Sequence, residues 1–154
     1  MTSDFRHPED AGHTVDLRDG RRLLVIDLDG TPGSVRDARG AVDGFLAESA
    51  ANGASVHADT ASDILLVVAE LVANACRHAP GPCRVTVTLD RDTADIAVRD
   101  SGQGRLRLIP HETPAGYGLL IVARLTSGIH VLPVGGGKIV RATVPLLGPR
   151  PTLV

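Results

Sequence analysis

The stretch Ile64 to Ala79, ILLVVAELVANACRHA, constrains this chain most, because it is apolar enough to be a core helix and still carries Glu70, Asn74, Arg77 and His78. At about 100° per residue, Ile64, Val68, Leu71, Val72 and Ala75 share one face. Glu70, Asn74 and Arg77 gather within about 80° of one another elsewhere, with His78 at the edge. A carboxylate and a carboxamide one helical turn apart, beside a large buried face, can hold a cation and activate a hydroxyl from a rigid platform. The same residues also fit an ordinary solvated helix face, so the stretch alone does not choose between the two.

Its surroundings narrow the choice. At 154 residues the chain has the size of one domain with a real core. A charged fraction of 22% and a net charge of -2 give no electrostatic reason to expect nucleic acid or an acidic membrane as partner, which leaves a small molecule or a protein. Phe5, Phe45 and Tyr117 are the aromatic residues, so the core is expected from Val, Leu, Ile and Ala, and base stacking on aromatic platforms is not. Cys76 and Cys83 make no disulfide framework, and with His78 they match no common zinc spacing; two reduced thiols are expected. No signal peptide or long apolar span is visible, and the expected location is cytoplasmic.

In chain order, residues 1–19 are polar and aperiodic and read as a flexible N-terminal arm, with a domain over 20–147 and a tail over 148–154. Arg22 to Leu28 reads as a strand. A helix follows from an N-cap at Ser34 to about Ala51, ended by Asn52 and Gly53. After a loop from Ala54 to Thr60, capping by Thr60 or Ser62 opens the long helix, and Pro80-Gly-Pro82 breaks it. Arg84 to Leu89 and Ala94 to Arg99 alternate and form a hairpin; Arg105 to Ala115 reads as a surface loop. Gly116-Tyr-Gly118 opens a short helix ended by Gly128, and Ile129 to Val134 and Ile139 to Leu146 are strands about Gly135-Gly-Gly137. Adjacent hairpins and clustered helices predict an α+β two-layer sandwich, a mostly antiparallel sheet with helices on one face.

Several local patterns fail in context. VIDLDGT, Val25 to Thr31, resembles the nucleophile motif of haloacid-dehalogenase-type phosphatases, with Asp27 and Asp29 as its carboxylates. That resemblance implies a later Lys or Arg and an acidic cluster on further parallel strands, whereas Lys138 comes late and no acidic residue follows it. Asp27 and Asp29 read more simply as strand-end and turn residues. Gly135-Gly-Gly-Lys138 lacks the outer residues of a phosphate-binding loop, and Gly102/Gly104 and Gly116/Gly118 lack the third glycine of the dinucleotide fingerprint.

Three features remain in a meaningful order. They are the Glu70/Asn74 helix, Asp100-Ser-Gly-Gln-Gly104 after a strand, and Gly116-Tyr-Gly118-Leu119 at a helix start. A carboxylate at a strand end can accept from an exocyclic amine, and glycines beyond it let a flat base approach the backbone. A helix start offers unpaired N–H groups to phosphate, and an Asn carbonyl suits magnesium, which keeps few protein ligands. Together they describe a nucleotide site with base, metal and phosphate ends.

In that order and spacing, Glu70-Leu-Val-Ala-Asn74-Ala-Cys-Arg77-His78-Ala79 and the two glycine segments resemble the N box and glycine boxes of the histidine-kinase-like, or Bergerat-fold, ATPases. The likeness runs over roughly residues 20–147 and is greatest to stand-alone serine/threonine kinases related to anti-sigma factors. It implies ATP and magnesium (Mg2+) as cofactors, Glu70 orienting or deprotonating the attacking hydroxyl, Asn74 on the metal and Asp100 on adenine. It further implies that Gly102, Gly104, Gly116 and Gly118 shape a lid over ATP, joined by Tyr117 and Leu119, and that Arg77 and His78 lie near the nucleotide. The partners it implies are proteins, a sigma factor or an anti-sigma-factor antagonist, without direct nucleic acid or membrane, and it leaves room for a homodimer. The alternative is a nucleotide-gated protein-binding module without phosphotransfer, in which ATP orders the loop Arg105 to Ala115, and the remote alternative is the haloacid-dehalogenase-type phosphatase using Asp27 and Asp29. The chain departs from the family pattern in two places: Lys138 and Ile139 stand where a Thr is common, and an aromatic near Ile129 to Val131 is missing.

Overall fold

A computed structural model of the chain describes residues 12–102 and 118–146. The elements run β1 (Gly12–Asp16), β2 (Arg22–Leu28), α1 (Ser34–Ala51), α2 (Ala58–His78), β3 (Cys83–Leu89), β4 (Thr93–Asp100), α3 (Gly118–Leu125), β5 (Ile129–Val134) and β6 (Gly137–Pro145). The strands form one six-stranded sheet in the order β1-β2-β3-β4-β6-β5, with every neighbouring pair antiparallel. The α+β sandwich expected from the sequence is the observed architecture.

Period-two alternation decides which face of the sheet is covered. Along β3, Cys83, Val85, Val87 and Leu89 are buried, while Arg84 is exposed and Thr86 and Thr88 are half-buried. The inward residues meet Ile64, Val67, Val68, Leu71, Val72 and Ala75 of α2 and Ala38, Val42, Phe45 and Leu46 of α1 in one cluster with Ile96, Val98, Val140 and Ala142. Fully burying side chains of this size contributes about 1.5–3 kcal/mol each, so this apolar layer dominates the stability of the fold. The other face is polar and crossed by exposed ion pairs, Asp27 with Arg84 at 2.7 Å and Asp95 with Arg141. Such pairs add about 0–1 kcal/mol and mainly keep that face in water.

The register of β4 with β6 brings a carboxylate and an ammonium together at one end of the sheet. Ala97 faces Arg141, Val98 faces Val140, and at the end of the ladder Asp100 faces Lys138. Because β6 returns between β4 and the edge strand β5, residues far apart in sequence meet there.

Three local readings need correction. The arm reading fails over Gly12–Asp16, which pairs with β2 from Gly12↔Ile26 to Asp16↔Arg22; its side chains are mostly exposed, so no hydrophobic pattern announced it. Ser34 is the first residue of α1, not its cap; Gly33 holds the cap position, and the Ser34 hydroxyl accepts from Gly30 N–H and donates to Asp29. Helix α2 begins two residues before Thr60, at Ala58, with the His57 Nδ1 accepting from Asp59 N–H at 3.3 Å. A neutral imidazole nitrogen can cap a helix as a hydroxyl does, but it is rare enough that a reading by residue type passes over it.

Candidate functional site

Asp100 closes β4, where alternation turns its side chain inward and leaves it with no exposed surface. Its Oδ1 accepts the Gly102 N–H at 2.8 Å and the Lys138 ammonium at 3.0 Å. Its Oδ2 is equally buried and has no partner among the described residues. A buried acceptor left unpaired costs about 1–3 kcal/mol, more for a charged group, so a donor that reaches this atom is strongly favoured.

Helix α2 supplies the second wall. Its apolar stripe fixes its rotation on the sheet, and the residues off that stripe follow from the 3.6 period. Asn74 is buried, only 5% exposed; Glu70 is half-buried one turn before it. Close packing ties this wall to the two glycine segments. A Cβ added to Gly102 would stand 2.8 Å from the Ala79 Cβ, 2.9 Å from Lys138 Nζ and 3.1 Å from Asp100 Oδ1. A Cβ on Gly118 would overlap the Glu70 carboxylate. The end of α2 therefore touches the turn after β4, and its middle touches the start of α3.

Of the residues singled out in the sequence, Asp100 and Gly102 meet beside Ala79 at the end of α2, Gly118 meets Glu70 at its middle, and Asn74 is buried one turn after Glu70. Leu119 belongs to the hydrophobic core, 8% exposed. Arg77 and His78 are exposed on the last turn of α2, outside these contacts, and Arg77 there complements the helix dipole. Gly104, Gly116 and Tyr117, with the loop Arg105 to Ala115, lie outside the described residues.

Two participants escaped the reading by motif. Lys138 was visible only as a departure from a common Thr, and Ala79 only as the last letter of the helix segment. Pairing across the β4–β6 ladder brings Lys138 to Asp100 and Gly102, and the end of α2 brings Ala79 to Gly102.

The phosphatase-like carboxylates are engaged elsewhere. Arg84 hydrogen-bonds Asp27 and holds its carboxyl below the usual range. Asp29 accepts the backbone N–H and hydroxyl of Thr31 and the Ser34 hydroxyl, and the Thr31 N–H above all keeps its carboxyl low. Both stay ionised in structural roles at a strand end and a turn, and no group of three or more His, Cys, Asp or Glu residues able to hold a metal occurs among the described residues.

The donor set fits a nucleotide with magnesium. A carboxylate oxygen unpartnered among the described residues stands at one end, and a half-buried carboxylate one helical turn from a buried carboxamide at the other. A single hard oxygen ligand from Asn74 suits an ion that takes most of its shell from phosphate and water.

The family described as the histidine kinase-like ATPase domain matches residues 30–144. No curated protein matches the chain. Among solved structures, the RsbU and RsbW domains of Rv1364c from Mycobacterium tuberculosis are similar at 25% identity with a TM-score of 0.61, over 86% of this chain and 34% of that one. The chain thus spans about a third of that protein's length. The blue-light activated histidine kinase of Erythrobacter litoralis EL346 is matched at 28% identity over 59% of this chain and 32% of that one, with a TM-score of 0.42. Its histidine kinase domain is matched at 24% identity over 57% of this chain and 45% of that one, with a TM-score of 0.40.

Proposed function

Because the chain belongs to the histidine kinase-like ATPase domain family, we propose that it binds ATP with magnesium and phosphorylates a serine or threonine of a protein partner, as an anti-sigma-factor kinase does. The observation that carries the reading is Asp100 Oδ2, a buried carboxylate oxygen without a donor among the described residues, at the end of the strand that leads into the first glycine segment. The likeness to a chain with an RsbW domain supports a regulatory role with protein partners, a sigma factor or its antagonist.

In this reading Asp100 accepts from the exocyclic amine of the base, Asn74 contributes its carbonyl to magnesium, and Glu70 orients the partner's hydroxyl and takes its proton. ATP supplies the transferable phosphoryl group. The approach of α3 to the Glu70 carboxylate at Gly118 supports that role for it.

The test is calorimetric titration with ATP in the presence and absence of magnesium, followed by transfer of labelled phosphate to candidate antagonist proteins. Asn74→Ala is expected to weaken binding about tenfold or more with magnesium and little without it. Glu70→Ala is expected to bind ATP normally and transfer no phosphate. Absence of ATP binding by the wild type would dismiss the proposal; binding without transfer to any partner would replace the kinase by a nucleotide-gated binding module.

A further inference from the structure

Lys138 is the chain's single lysine, and it is buried to 5% exposure. Lysines are seldom fully buried unless paired, and a buried ion pair is often no more stable than an apolar pair of the same volume. Stability alone therefore gives no reason for an ammonium at this place. Its position does. Nζ is 3.0 Å from Asp100 Oδ1, on the side where Gly102 leaves room by lacking a Cβ, and the other oxygen of the same carboxylate has no donor among the described residues. An ammonium has three N–H donors, and Asp100 Oδ1 takes one.

Among the described residues, the site thus sets an acceptor without a donor next to an ammonium that spends one of its three donors on the same carboxylate. We propose that Lys138 is a specificity-determining residue that reads the base together with Asp100. Oδ2 accepts from the N6 amino group of adenine, and the Lys138 ammonium donates to the neighbouring ring nitrogen N1. Guanine reverses the order along that edge: its O6 carbonyl would face the carboxylate and its N1–H would face the ammonium, so both contacts turn repulsive. A site built on buried polar groups rejects such a mismatch strongly, because each group is left unpaired. The inference rests on the nucleotide reading proposed for the site and adds to it a residue from β6 that contacts the base.

Calorimetry with magnesium tests it, using ATP, 1-deaza-ATP, in which N1 is replaced by C–H, and GTP, with the wild type and Lys138→Met. A hydrogen bond to a charged donor leads to an expected loss of about 30-fold in wild-type affinity for 1-deaza-ATP relative to ATP. In Lys138→Met the two nucleotides should bind within about threefold of each other, since the partner of N1 is gone. GTP should bind the wild type more than about 100-fold more weakly than ATP, roughly the sum of two broken contacts.

A merely structural lysine would weaken ATP and its analogue equally on substitution. The proposal is overturned if wild-type protein binds ATP and 1-deaza-ATP within twofold, a comparison that needs no variant to fold. It is overturned also if Lys138→Met binds ATP more tightly, which would make Lys138 a competitor of the base for Asp100. Wild-type protein that binds no ATP at all removes the nucleotide reading itself, an outcome distinct from the other two.

Discussion

Removing one charge of the Asp100–Lys138 pair is expected to destabilise the fold far more than removing both. The Asp100 side chain is 0% exposed and that of Lys138 7%, so neither charge can turn to solvent when its partner goes. In Lys138→Met, Asp100 retains, among the described residues, only the Gly102 N–H on Oδ1, and Oδ2 has no donor there already. Leaving a buried charge uncompensated in this way costs about 3–5 kcal/mol, a large share of the roughly 5–15 kcal/mol typical of a whole domain. The double variant Asp100→Asn/Lys138→Met keeps an oxygen for the Gly102 N–H and removes both charges, so it should lie within about 1.5 kcal/mol of wild type. The coupling between the two sites is then about 2 kcal/mol or more. Urea unfolding without nucleotide measures it, followed by far-ultraviolet circular dichroism because the chain contains no tryptophan. If Lys138→Met costs less than about 1 kcal/mol, or if the double variant costs the sum of the single ones, the pair is not the desolvated, coupled unit that the geometry describes.

The remaining predictions concern Gly118 and Cys83. In Gly118→Ala the new methyl group meets the Glu70 carboxylate, the far end of a flexible side chain, so Glu70 should be displaced at a cost within about 1 kcal/mol; phosphate transfer should fall as in Glu70→Ala, and a variant with full transfer would contradict the placement of Glu70. Burial, with smaller contributions from Cys76, Asp100 and Asp29, pushes the Cys83 thiol up to about 11 from 9.0, so native protein at about pH 8 should leave Cys83 unalkylated by iodoacetamide until urea is added. Its folded pKa lies above the unfolded one, so its contribution to stability is complete below pH 9.0 and fades as pH rises through about 11; Cys83→Ala should flatten that alkaline loss, and an unchanged alkaline slope would refute the assignment.

Much of the fold was legible because its signals are local. The alternation of β3 and β4, the stripe of α2 and the break at Pro80-Gly-Pro82 each lie within one stretch of sequence, and each element formed within a few residues of its expected place. Strand β1 was not legible, since an edge strand with exposed side chains owes its formation to the free backbone groups of β2 more than to its own pattern. The caps failed for a related reason. Ser34 has the residue type of a cap and the structure uses it to hold Asp29, while His57 lacks that type and does the capping.

The candidate site divides along the same line, and the division explains why its glycines are glycines. A motif specifies residue types along the chain, so Glu70, Asn74 and Asp100 could be picked out from spacing. It does not specify which residues face one another, and Lys138 meets Asp100 across 38 residues through the β4–β6 register, with α3 and β5 between the two strands in sequence. Once those contacts are known, Gly102 and Gly118 need no ligand to account for them. Gly102 lacks a side chain because Ala79, Lys138 and Asp100 already occupy its surroundings, and Gly118 lacks one because the Glu70 carboxylate does. The glycine segments are therefore the places where the turn after β4 and the start of α3 come close to α2, and the chemistry is carried by the side chains those approaches confine.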